Sequence, residues 1–160
     1  MESVTYMPIG VVRSPFTALA GMPIQTVAAQ GIAGTVELAP GYAEGLKDID
    51  GFSHLLLLVH LHLMNGFALE VTPFMDDQPR GVFATRSPRR PNPIGLSIVR
   101  LVRVEQITLH IEDIDLVDGT PVLDIKPYVP LLDDRRADRI GWFADNVYKV
   151  YHVRADDRVR

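Results

Sequence analysis

Twelve prolines and twelve glycines punctuate this chain of 160 residues and cut most of it into short pieces. Proline removes a backbone donor and glycine raises the entropic cost of order, so neither belongs inside a long helix. Long amphipathic helices alternating with strands are absent, which argues against a doubly wound α/β fold. The pieces between the breaks read as strands by composition and period. They are Ile9–Val12, Gly34–Leu38, His54–Leu63, Leu69–Thr72, Val82–Thr85, Leu96–Val104, Ile107–Ile111 and Pro121–Ile125. Short helices are expected around Tyr42–Lys47 and over Asp133–Ile140. Many short strands with frequent turns predict an all-β chain, an antiparallel barrel or sandwich.

The length suits one compact domain, and with 47% apolar residues the chain can bury a core without staples. There is no cysteine, which excludes disulfides, Cys-ligated metal centres and a thiol nucleophile. The longest apolar run, Leu55–Val59, ends at His60 and is far too short to span a membrane. The N-terminus lacks the basic start and apolar stretch of a signal peptide, so the expected setting is the cytoplasm. No strand is followed by Gly-x-Gly-x-x-Gly and no Gly-Lys-Ser/Thr loop occurs, so neither common nucleotide-binding route is supported.

The net charge of −4 hides a segregation. Gln78–Val104 holds six arginines (Arg80, Arg86, Arg89, Arg90, Arg100, Arg103) and no acid, while the remainder is strongly acidic. Such a chain either presents a cationic surface to an anionic partner or pairs the arginines with its own carboxylates, and charge counting leaves both open. The sharpest cationic motif is Arg86-Ser-Pro-Arg-Arg-Pro-Asn-Pro-Ile-Gly95. Its three prolines stiffen a loop bearing three arginines, whose forks suit phosphate or carboxylate.

Two further motifs carry candidate chemistry. In His54–Leu63, odd positions Leu55 to Leu63 are all apolar, whereas the even face mixes Leu56 and Leu58 with His54, His60 and His62. That face suits a pocket or an interface. His60 and His62 have the spacing of a metal pair on a strand, but no acid follows before Glu70, and His62 alone is a candidate general base. Asp118-Gly119 predicts a type I′ turn joining Ile111–Val117 to Pro121–Ile125. Beyond it Asp124, Lys126 and Tyr128 share a strand face and, with the histidine strand, form a candidate acid–base wall. Trp142 and the Val147–Val153 cluster read as packing, including onto a second subunit.

Together, Ile9-Gly-Val-Val-Arg-Ser-Pro15, Gly51-Phe-Ser-His54, Gly81-Val-Phe-Ala-Thr-Arg-Ser-Pro88, Arg90-Pro-Asn-Pro-Ile-Gly95 and Asp118-Gly-Thr-Pro-Val-Leu-Asp-Ile-Lys-Pro-Tyr128 resemble the TsaA-like or TrmO family. The resemblance implies a small antiparallel β-barrel that binds S-adenosylmethionine without a Rossmann fold, as a homodimer. It implies methylation of N6 of threonylcarbamoyladenosine beside the anticodon of tRNA, with no DNA and no membrane partner. By matching motifs, cofactor contacts fall on Pro23, Ile24, Gln25, His62, Arg90, Leu101, Asp118, Gly119, Thr120 and Pro121. The accepting nitrogen must lose or share its proton, a role expected of His62, Asp124, Lys126 or Tyr128, while Arg86 and Arg89 are expected on RNA phosphates. The barrel domain is expected over residues 1–132, with 133–160 a short helix and tail for packing or dimer contact. The alternatives are a non-catalytic RNA- or S-adenosylmethionine-binding barrel and a metal-dependent cupin-like enzyme using His60 and His62.

Overall fold

The computed structural model describes residues 2–156 and residue 158. Its strands are β1 (Gly10–Arg13), β2 (Gly34–Leu38), β3 (His54–His60), β4 (Glu70–Val71), β5 (Arg80–Gly81), β6 (Ile94–Glu105), β7 (Thr108–Glu112) and β8 (Pro121–Pro127). All but β4 and β5 close into a barrel in the order β1-β2-β7-β6-β3-β8, with every neighbouring pair antiparallel. Closure pairs the edges that an open sheet would leave to other chains.

Strand alternation fills the barrel. Leu55, Leu57 and Val59 of β3 point inward and are fully buried, as are Val12, Val36, Val99, Leu109 and Val122 from the other five strands. Each such side chain contributes roughly 1.5–3 kcal/mol by leaving water. Gly95 lets β6 approach this core closely, since a Cβ there would sit 2.8 Å from Val59 Cγ2 and 2.9 Å from Leu61 Cδ2.

Several elements differ from expectation. β3 stops at His60, where a register shift at Leu58/Val59 precedes it; Leu61–Met64 then forms a turn, and Leu63 is exposed rather than core. Val82–Ala84 is a 3-10 turn instead of a strand, held by the Thr85 Oγ1 bond to the Val82 carbonyl at 2.8 Å. One buried Val82 anchors that turn, and period-2 reasoning cannot tell a single anchor from a strand.

The Asp118-Gly119 turn joins no hairpin. β8 pairs with β1 and β3, whereas β7 pairs with β2 and β6. Between β7 and the turn, Ile114, Leu116 and Val117 dive into the interior, so the chain crosses under the barrel instead of doubling back. Only Gly119 has positive φ, +80°, while type I′ requires it at both central residues. The tight hairpin lies elsewhere, at β6–β7, with Gln106 at φ +54°.

Residues 133–140 are not a helix. Among the described residues the one α-helix, α1, spans Pro130–Asp133, and the following stretch offers only Ala137 and Ile140 as apolar residues. Without an apolar stripe to bury, so short a helix does not hold in water. Two 3-10 turns, Gly141–Asp145 and Val147–Tyr151, then pack back on the barrel loops. Trp142 Nε1 donates to the Ala84 carbonyl at 2.8 Å, Lys149 Nζ to that of Met75 at 3.1 Å, and Gly21 N to that of Ala155 at 2.8 Å. Positions 157, 159 and 160 of the expected tail lie outside the described residues.

Candidate functional site

Register places one end of the barrel at the centre of the site. Ile94 of β6 faces His60 and Val122 of β8 faces Val59, so the turn after β3, the loop before β6 and the segment before β8 converge there. They line a pocket with Leu19 and Met22 from the loop after β1, Leu61–Met64, Pro88, Asp115–Val117 and Thr120. Its walls are apolar apart from three groups: His62, Asp115 and Thr120.

Each of the three has a distinct state. His62 sits below the ordinary imidazole pKa, chiefly because burial disfavours its charged form and secondarily because His60 is near. It is therefore neutral at pH 7 and able to accept a proton. Thr120 is buried, and its hydroxyl donates to the Val117 carbonyl at 2.7 Å. Asp115 accepts from Ser97 Oγ at 2.7 Å. Burial pushes its carboxyl up to about 6, an effect that the Ser97 bond and the Arg86 charge oppose without cancelling.

Motif reading missed Asp115 and its partner Ser97. The available signals were an acid between two apolar residues, Ile114 and Leu116, and a serine on the inward parity of β6 with Val99 and Leu101.

The expected cofactor residues divide. His62 and Thr120 line the pocket, and Met22 carries the chain to Pro23–Gln25 beside it. Gln25 Oε1 accepts from Arg86 Nη1 at 2.7 Å, joining that segment to the arginine loop. Pro23 is buried and bridges Arg154. Asp118 instead secures the end of β1, accepting from Ser14 N at 3.1 Å with Arg13 Nη1 at 3.8 Å, while Gly119 N donates to the Val12 carbonyl. Pro121 opens β8 opposite Val11. Leu101 does not join the pocket; its side chain packs in the core and its N–H donates to the Ser53 carbonyl.

The structure separates the six arginines into two sets. Arg80 grips Asp76 through Nε and Nη2 at 2.9 and 2.8 Å and holds that carboxyl below its usual range. Arg103 pairs with Glu105, and Arg100 lies 3.9 Å from Glu112. Arg86, Arg89 and Arg90 have no carboxylate within 4.0 Å among the described residues. Arg90 Nη1 folds back on the Thr85 and Ser87 carbonyls at 3.3 and 3.2 Å, stiffening the loop. Arg89 Nε is buried with no hydrogen-bond partner among the described residues, a donor awaiting an acceptor. The stiff loop thus holds three arginines with no direct carboxylate contact among the described residues.

The expected acid–base wall lies elsewhere in the chain. Asp124 and Lys126 oppose Leu58 and Leu56, so they stand on the outer barrel face, paired to each other at 2.7 Å. Tyr128 lies at the opposite end from Thr120, eight strand residues away or on the order of 25 Å. Its hydroxyl donates to Asp134 at 2.5 Å, which raises its pKa, and its ring meets His54 edge-on at 6.3 Å. One chain does not bring this group to His62. Among the described residues, no three His, Asp or Glu side chains are grouped to hold a metal ion.

A closed antiparallel barrel with a mixed pocket at one end and an arginine loop beside it defines a ligand-binding barrel of non-Rossmann type. Residues 11–134 match the model of the tRNA-methyltransferase O N-terminal domain, and the chain belongs to that family. It is 52% identical over 155 residues to a probable S-adenosyl-L-methionine-binding protein of Pyrococcus abyssi, covering 97% of this chain and 84% of that one. It is 38% identical over 143 residues to a tRNA (adenine(37)-N6)-methyltransferase of Escherichia coli, covering 83% of this chain but 61% of that one. A crystal structure of TrmO from Pseudomonas aeruginosa superposes with a TM-score of 0.74 at 40% identity, covering 88% of this chain and 63% of that one.

The lining of the pocket suits the chemistry of the cofactor this family implies. S-adenosylmethionine carries an apolar-faced adenine, a sulfonium and an ammonium group. Leu19, Met22 and Leu61 offer apolar contact, and Asp115 offers a carboxylate that burial leaves short of compensation. A cationic ligand supplies that compensation.

Proposed function

We propose that this protein is an S-adenosylmethionine-dependent tRNA methyltransferase acting on N6 of threonylcarbamoyladenosine beside the anticodon. The carrying observation is the adjacency of two sites: a pocket lined by the half-buried Asp115 carboxylate, and a stiff loop whose three arginines have no carboxylate within 4.0 Å among the described residues. Family membership and the E. coli relative's printed activity support the same reading. Bound S-adenosylmethionine supplies an electrophilic methyl group. Met22, Leu61, Asp115 and Thr120 hold and orient it, with Pro23–Gln25 closing one side. Neutral His62 accepts or polarises the proton of the attacking nitrogen. Arg86 and Arg89 engage RNA phosphates, giving affinity that falls with salt. The setting that goes with a tRNA substrate is the cytoplasm.

The working unit in this reading is a homodimer. Leu56, Leu58, Ile94, Leu96 and Ile98 form an apolar face outside β3 and β6, with Ile94 and Leu96 well exposed. A second copy covering that face brings Asp124, Lys126 and Tyr128 to the neighbouring site, the arrangement in which they serve proton transfer. The barrel and its site lie within residues 1–132, and the described residues after 132 brace the loops around it.

Mass spectrometry of nucleosides from tRNA incubated with protein and cofactor tests the proposal. A methylated threonylcarbamoyladenosine that requires both is expected. Cofactor binding with no methylated nucleoside would establish the non-catalytic barrel instead, a reading favoured by the Pyrococcus relative's description as a binding protein. Calorimetry with chelator present excludes a metal requirement if affinity is unchanged.

A further inference from the structure

A second cleft, about 390 Å³ and open to solvent, lies across the arginine loop from the cofactor pocket. Thr85 and Arg86 line the cleft and Pro88 lines the pocket, so one loop walls both. The cleft is aromatic. Val82 buries itself as the anchor of its 3-10 turn and thereby turns Phe83 outward, leaving it 76% exposed. Opposite, Trp142 and Phe143 stack with ring centroids 4.0 Å apart and planes 27° from parallel. The indole is fixed by its bond to the Ala84 carbonyl, and the Arg80 guanidinium carbon lies 5.9 Å from its centroid. Among the described residues no carboxylate lines the cleft, and its one charged wall is Arg86, held by Gln25.

A large exposed phenylalanine beside an ordered indole and a guanidinium with no carboxylate within 4.0 Å among the described residues suits one ligand chemistry: a flat ring that carries a negative charge. We propose that this cleft binds an unpaired RNA nucleotide, its base against Phe83 and the Trp142–Phe143 pair and its phosphate on Arg86. Single-stranded RNA is read in this way, by stacking on rigid aromatic side chains and by arginine at the backbone. Because it takes an RNA substrate as given, the inference rests on the function proposed above. It places a nucleotide neighbouring the target in the cleft while the target reaches the cofactor pocket over the shared loop.

Trp142 is the single tryptophan of the chain, so its fluorescence reports the cleft directly. Titration with a short single-stranded oligoadenylate is expected to quench it saturably, with affinity that drops as salt rises. Phe83→Leu keeps an apolar side chain but removes the ring. It should weaken the oligonucleotide by roughly 5- to 150-fold, the equivalent of one base stacked on an aromatic ring. The affinity for S-adenosylmethionine and the melting temperature should not change, which controls for folding. Phe83→Tyr should restore RNA affinity.

Unchanged oligonucleotide affinity in Phe83→Leu overturns the proposal. So does a Trp142 emission that shifts with protein concentration and ignores RNA, because a second copy then covers the cleft. Full methylation of tRNA by Phe83→Leu at unchanged RNA affinity removes the cleft while leaving the enzymatic function intact. Saturable, Phe83-dependent quenching with no methylated nucleoside does the reverse.

Discussion

Replacing Asp115 by asparagine should strengthen the empty protein and weaken its hold on a cationic cofactor. Folding raises the carboxyl from 3.8 to about 6, so the folded chain binds this proton more tightly than the unfolded chain does. Ionisation therefore costs stability as pH rises: nothing below about pH 4, more through the interval to about 6, and a constant amount above it. The size of the shift corresponds to about 3 kcal/mol. Asparagine keeps an acceptor for Ser97 and removes the charge. At pH 8 the variant should gain up to about 3 kcal/mol, or several degrees in melting temperature for a chain of this size.

Binding should move the other way. The groups facing Asp115 are Ser97, Thr120, His62 and the more distant Arg86. If only the ionised carboxylate receives the cofactor's positive charge, then at pH 5 about one molecule in ten is competent, and affinity is about tenfold below its value at pH 8. Protonation of His62 acts in the same direction, so His62→Gln separates the two contributions. Calorimetry at pH 5, 6.5 and 8 measures this, with S-adenosylhomocysteine as the ligand lacking the sulfonium charge. Asp115→Asn should flatten the pH dependence and reduce the preference for the sulfonium. A variant that binds like the parent at every pH, or melts lower at pH 8, refutes the reasoning.

Further expectations concern the core, the loop and the outer face. Leu57→Ala should destabilise the chain by about 2–5 kcal/mol in urea unfolding, because Leu57 is wholly enclosed in the barrel. Gly95→Ala forces a methyl onto Val59 and Leu61 at the pocket end, so both melting temperature and cofactor affinity should fall, as thermal shift with and without S-adenosylmethionine reads. Arg89→Ala should lower the slope of log affinity for tRNA against log salt by about 1, measured by filter binding over a salt series. Asp124→Ala, Lys126→Ala and Tyr128→Phe should each lower turnover with cofactor binding kept. Mixing Lys126→Ala with His62→Gln chains should restore part of the activity if the two groups meet across a dimer, and no recovery would break that assignment.

The barrel was legible because its determinants are local. Leu55, Leu57 and Val59 alternate strictly, glycine and proline break the chain into short pieces, and a chain so punctuated has few architectures that bury its apolar half. Strand parity singles out His62 and three prolines single out the stiff arginine loop, whereas Thr120 follows only from the family resemblance. Tertiary structure decided what depends on partners distant in sequence. Which arginines are neutralised is settled by Asp76, Glu105 and Glu112, and no charge count along the chain could separate those from Arg86, Arg89 and Arg90. The Asp118-Gly119 turn carries a hairpin signature, yet burial of Ile114 and Leu116 outweighs it and sends β8 to β1 and β3. The same burial carries Asp115 against Ser97, joining two residues with no motif of their own in a half-buried hydrogen bond. Periodicity assigns a residue to a face; only closure of the barrel brings two faces' polar groups together, and there the local signal ends.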